Sequence, residues 1–192
     1  MVEKNYTPYH QVTQYHHIKL NKMEEDVITL ENNVIKANEE IRNRILQFED
    51  VLKNLDNDKF DTFIDKDSER VCPLEHKFSD GIYVREITIP AGTFIVGKIH
   101  KHDHPNFLLK GEVTVVTEEG IEELIAPMSM ISKAGTKRAL YAKTDLVWTT
   151  VHLNPTNTED LGELEEEIIA QSYEEYETFK RLKNEEYKQL KT

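Results

Sequence analysis

Between residues 71 and 154 the chain is cut into short β-rich runs: GIYVREITI, TFIVGKIHKH, FLLKGEVTVVT, IEELIA, MSMI, RALYA and DLVWTTVHL. Pro90-Ala91-Gly92, Glu119-Gly120 and Ala134-Gly135 stand between them as turn signals. β-Branched and aromatic residues in runs this short, at this turn frequency, predict antiparallel strands closed into a sandwich or barrel. A chain of 192 residues holds one such domain with extensions and is too short for two large ones.

The flanks follow a different period. Over residues 19–55 apolar side chains recur at Leu20, Met23, Val27, Leu30, Val34, Ala37 and Ile41, a 3-4 spacing held for three heptads. The pattern then changes phase and continues through Ile45, Phe48, Leu52 and Leu55. This predicts one long helix whose narrow seam suits pairing with another helix, and so a homo-oligomer; packing on the chain's own barrel is the alternative. Residues 1–18 show no regular period, and His10, His16 and His17 there read as exposed polar residues. Residues 56–70, DNDKFDTFIDKDSER, read as an acidic linker. Their aspartates resemble a calcium loop only superficially, without its central glycine and closing glutamate. Residues 155–192 read as an acidic helical extension, with Thr158 as an expected N-cap and a Ser172-x-x-Glu175 capping box.

Charge narrows the function classes. The formal charge is −12, carried by the flanks: residues 1–70 hold 10 basic and 15 acidic side chains, residues 155–192 hold 5 and 11. The middle, with 9 and 10, is close to neutral. An acidic chain without a basic stripe is a poor nucleic-acid binder, but a local basic pocket for a small anion fits. No apolar run approaches the length of a membrane span. The opening MVEKNYTPYHQ lacks the regions of a signal peptide, and Cys72 is the only cysteine, so a cytoplasmic location is the expectation. Phosphate loops, nucleophile elbows and H-E-x-x-H are absent from the sequence.

The chemistry concentrates at GKIHKHDHPNFLLKGE, residues 97–112. If residues 98–104 are a strand, alternation places Lys98, His100, His102 and His104 on a single face, shared with Phe94 and Val96, which suggests that this face is the barrel interior. Buried imidazoles need a metal, an acid or an anionic ligand to offset their desolvation. Imidazole suits zinc, iron, nickel and copper, and three such ligands leave positions open. His152, in VWTTVHLN, joins the set if it faces inward with Trp148 and Thr150.

PAGTFIVGKIHKHDHPNFLLKGEVTV resembles the first motif of the cupin superfamily, and APMSMISKAGTKRALYA resembles the second. The resemblance spans about 85 residues and implies a double-stranded β-helix, or jelly-roll, barrel flanked by helices. Counting from Gly111 and Gly135, it sets His100 and His104 at metal-ligand positions, but puts Lys98 and Arg138 where the family has histidines. Two cations suit a phosphate or carboxylate better than a metal, with Arg138 able to bind bidentately. Tyr141 and Trp148 offer flat surfaces for a base or sugar ring. The layout is similar to small cupin proteins of phage and prophage genomes, which would make the location a host cytoplasm.

Three readings follow from the resemblance. The first is a small-molecule-binding cupin taking an anionic or sugar-like ligand, either with a divalent metal (zinc, iron, nickel or manganese) at His100, His102, His104 and His152 or as a metal-free pocket. The second is a metal-dependent isomerase or oxygenase acting on a sugar or nucleotide-linked substrate. The third is a virion or other assembly protein in which the barrel is a scaffold. Cupin barrels host many unrelated functions, so the fold alone does not choose.

Overall fold

The computed structural model describes residues 9–54 and 72–191, and the side chains of the first helix from Val27 onward. The expected linker 56–70, residues 1–8, and the side chains of His10, His16, His17, Leu20 and Met23 lie outside the described residues.

Helix α1 runs Tyr9–Asn54. It starts ahead of residue 19 because nothing from Tyr9 onward breaks a helix, neither glycine nor proline, even where the apolar period is missing. Within α1 the chain divides into two compact units, residues 1–40 and 41–192. In the first unit Val27, Leu30 and Val34 are exposed, together with Ile28 and Ile35. The 3-4 seam changes phase at Ile41, where the second unit begins. From there the helix is docked: Ile45 and Leu52 are buried, and the Phe48 ring meets Phe94 edge-on at 5.7 Å. Arg42 donates through Nε and Nη2 to the Glu118 carboxylate, and Lys137 Nζ donates to Glu49 Oε1 at 3.0 Å.

The strands are β1 (Leu74–Ser79), β2 (Ile82–Ile89), β3 (Phe94–Val96), β4 (Ile99–His100), β5 (His104–Lys110), β6 (Glu112–Thr117), β7 (Gly120–Ile125), β8 (Met128–Ser132), β9 (Ala139–Ala142), β10 (Leu146–Leu153) and β11 (Ile169–Ala170). One antiparallel sheet has the order β1-β2-β10-β5-β8, the other β3-β9-β6-β7. Leu108, Val113, Val115, Leu146 and Trp148 fill the space between them, and Cys72 is buried with them. Gly111 makes the β5–β6 turn at φ +95°, and a Cβ there would sit 2.3 Å from the Asp145 carbonyl. Only glycine satisfies both the dihedral and the approach.

The tail after residue 155 is helical but also contributes one short strand. Helix α2 (Leu161–Ile168) is capped by Asp160, whose carboxylate accepts from the amides of Gly162 and Glu163. Thr158, the expected cap, instead accepts from Asp160 N and donates to Glu163. Asp160 wins because it stands immediately before the first helical residue, where its carboxylate also meets the helix dipole. Strand β11 pairs with β4, Ile169 opposite His100. Helix α3 (Tyr173–Gln189) starts from Ser172, which accepts from Glu175 N, and buries Tyr176 against Ile99 and Ala170.

Candidate metal centre

The inward-facing residues of the larger sheet line up in rows across its strands. Ile87, Trp148, Leu108 and Met128 make an apolar row, and Arg85, Thr150, Asn106 and Met130 the next. One step further come Tyr83 opposite His152 on β2 and β10, and His104 opposite Ser132 on β5 and β8. The barrel interior therefore grades from apolar to polar to histidine toward one end. Alternation on three separate strands produces that gradient.

His100, from β4, completes the group. Its ring stacks on His104 at 4.1 Å between centroids and on His152 at 5.0 Å; His104 and His152 are 4.7 Å apart. Each offers one nitrogen, and the three lie within 4.8 Å of one another. Nitrogens bound to one tetrahedral zinc at ~2.1 Å stand about 3.4 Å apart, so the three would draw closer by up to about 1.4 Å to share one ion. His104 Nδ1 lies 3.1 Å from the His102 carbonyl. A carbonyl can only accept, so this tautomer carries its proton on Nδ1 and leaves the Nε2 lone pair free to bind. His100 Nδ1 is buried without a hydrogen-bond partner. An orphaned buried nitrogen in a trio of imidazoles suits a metal ligand.

Electrostatics keep the trio neutral. Burial, first, and then His104 and His152 push the His100 pKa far down; burial, then His104 and Arg85, lower His152 to about 3. Burial also lowers His104. The neutral imidazole is the ligand form, and burial favours it in all three.

Beneath the trio a polar network supports β5. Trp148 Nε1 donates to Asn106 Oδ1 at 2.8 Å, and Asn106 Nδ2 donates to Ser132 Oγ at 2.6 Å and to the His104 carbonyl at 3.1 Å. Arg138 Nη2 also donates to Ser132 Oγ. The guanidinium lies 5.9 Å from the Trp148 ring centroid, and its charge opposes protonation of His100 and His104. Arg138 is thus beside the histidines, whereas Trp148 serves the network with its edge.

The other expected site residues are elsewhere. Lys98 is 58% exposed and paired with Glu165 of α2. His102 meets the Phe179 ring edge-on at 5.3 Å and lies 3.4 Å from Lys183 Nζ. Tyr141 packs on Phe94 at 4.6 Å, on the outer side of the smaller sheet, where both line a cavity of about 490 Å³ with Ile41, Ile45 and Ile121. The single-strand reading of 94–104 fails because the strand is broken twice. Gly97-Lys98 separates β3 from β4, and a bend at 101–103 separates β4 from β5. Asp103 holds that bend by accepting from Ala134 N and Lys133 Nζ. Phe94 therefore faces out, toward Phe48, and parity does not carry from it to the histidines.

No protein-family model matches the chain, and no curated protein matches it. Among solved structures, it is similar to a cupin superfamily protein from Desulfitobacterium hafniense at 14% identity, over 42% of this chain and 76% of that one, TM-score 0.36. It is similar to a cupin 2 domain-containing protein from Halorhodospira halophila at 13% identity, over 50% and 77%, TM-score 0.39. It is also similar to ectoine synthase from P. lautus at 17% identity, TM-score 0.39, over 46% of this chain and 65%, just under two thirds, of that one. The strand order is read from this chain itself: two antiparallel sheets, β1-β2-β10-β5-β8 and β3-β9-β6-β7, enclose one core, and the barrel is an antiparallel jelly roll.

Proposed function

We propose that the barrel is a small-molecule-binding module built on a divalent metal held by His100, His104 and His152. The observation that carries this reading is the trio: three stacked imidazoles with donor nitrogens within 4.8 Å and a buried nitrogen left unpartnered. A metal with three histidine ligands keeps coordination positions for a ligand and acts there as a Lewis acid. The protein's part is to hold the rings neutral, orient His104 through the His102 carbonyl, and keep water out with the Trp148 row.

Metal analysis of protein purified without chelator, followed by calorimetric titration with zinc and nickel, tests the reading. One equivalent bound by the wild type and none by His100→Ala/His104→Ala is expected. Folded wild type that takes up neither ion at micromolar concentration overturns it. The open positions also favour a second reading, a metal-dependent cupin enzyme, in which the same three residues hold the metal.

We infer further that the chain self-associates through α1. Val27 and Val34 at one heptad position and Leu30 at the next core position are exposed, and β-branched residues alternating with Leu suit a parallel two-stranded coil. Deleting residues 1–40, which form a unit of their own, is expected to lower the oligomeric mass by light scattering. An unchanged mass would refute this.

A further inference from the structure

The charges around the trio do not balance. Three neutral imidazoles bring no negative charge to a divalent ion, and two cations act on them: Arg138 on His100 and His104, and Arg85 on His100 and His152. Among the described residues no carboxylate lies within ion-pair distance of the Arg138 guanidinium; the one acid whose charge reaches it, Glu122, acts through space. The acids on the surrounding segments are engaged elsewhere. Asp103 is taken by Lys133 and the Ala134 amide. Glu86 accepts from Thr149 and pairs with Lys77. Glu165 pairs with Lys98. Desolvation disfavours the charged form of Arg138, yet the sequence keeps an arginine there.

Geometry ties that cation to the ligand positions. Ser132 is directly opposite His104 across β5 and β8, and its hydroxyl oxygen accepts from both Arg138 and Asn106. With both lone pairs of Ser132 taken, its own proton is left to donate elsewhere. The guanidinium is therefore held one strand from His104 with further N–H groups beyond the one it gives to Ser132. A cation, a spare hydroxyl proton and open metal positions on one wall form a receptor for oxygen anions.

Resting on the metal reading above, we propose that the site takes its metal together with a small oxyanion, a carboxylate or phosphate, held between the ion and Arg138. Metal and anion then bind with positive coupling, each raising the other's affinity by the same factor. Without the anion, Arg138 opposes the metal.

The test is calorimetric, in a non-coordinating buffer. Acetate, pyruvate and inorganic phosphate are titrated separately into metal-free and zinc-loaded protein, wild type and Arg138→Gln, with circular dichroism checking the fold. At least one of these anions should bind zinc-loaded wild type ten-fold or more tightly than the metal-free form, the arms telling carboxylate from phosphate. In Arg138→Gln the coupling should fall below two-fold, while zinc alone binds as tightly as in the wild type or tighter, an inversion that a merely structural arginine would not give. Arg138→Lys, which keeps the charge and loses the fork, should retain part of the coupling, and it decides the matter if the Gln variant does not fold. Zinc uptake with no anion coupling in the wild type overturns this inference and leaves the metal centre standing. No zinc uptake at all overturns both.

Discussion

Lowering the pH should destabilise the metal-free protein through its buried histidines. His100 and His152 are neutral in the folded barrel far below the ordinary value of 6.5, chiefly through burial. In the unfolded chain both protonate near 6.5, so the unfolded state binds more protons in acid. The histidines cost nothing above pH 7.5, and stability is lost as pH falls through 6.5, continuing down to about 3 for His152. Between pH 7.5 and 5.5 each contributes a loss of about 1.4 kcal/mol, so the two together cost about 3 kcal/mol, a large part of the ~5–15 kcal/mol of a typical domain. His104, shifted in the same direction, adds to the loss. The shifted carboxylates Asp103, Glu123, Glu165 and Glu175 are all lowered and titrate below this window. Urea unfolding in EDTA at pH 7.5, 6.5 and 5.5 measures it, followed by the single tryptophan, Trp148, which is buried beneath the trio. His152→Gln should reduce the loss over these two pH units by about 1.4 kcal/mol. A change under about 0.5 kcal/mol over the two pH units would mean that the rings meet solvent, and would refute the buried neutral trio.

Gly111→Ala should cost about 3 kcal/mol or more in urea unfolding, since it sets a Cβ 2.3 Å from the Asp145 carbonyl at φ +95°. Trp148→Phe leaves Asn106 Oδ1 buried without its 2.8 Å donor; a loss of about 1–3 kcal/mol, read by circular dichroism melts, is expected. Lys98→Ala removes only a half-exposed surface pair with Glu165, so its stability should stay within about 1 kcal/mol of wild type and its zinc affinity unchanged. A ten-fold change in zinc affinity would return Lys98 to the pocket.

What could be read from the residues alone follows from which signals are local. Turn residues and β-rich runs are local, so the barrel and most of its strands were visible; β1 and the two-residue β11 were not, the latter lying inside a helical pattern that it ends. The 3-4 seam is local too, and its change of phase after Ile41 marks where α1 docks on Phe94 rather than standing exposed. Side-chain direction is local only while a strand is unbroken. From Phe94 to His104 it is broken at Gly97-Lys98 and again at 101–103, so parity misassigned Lys98 and His102 and turned Phe94 inward. His100 and His104 survive as a pair because the bend between them, pinned by Asp103, folds their rings onto one another. His152 depended on something further: the β10–β5 register, Thr150 opposite Asn106, which carried two residues on brings it beside His104 from almost 50 residues away. Its alternation with Trp148 pointed inward, but only the register says which strand it meets there. Spacing thus groups histidines along one strand, whereas the barrel gathers those that converge from three, and this is why the two histidines nearest in pattern, His100 and His102, part company while His152 joins.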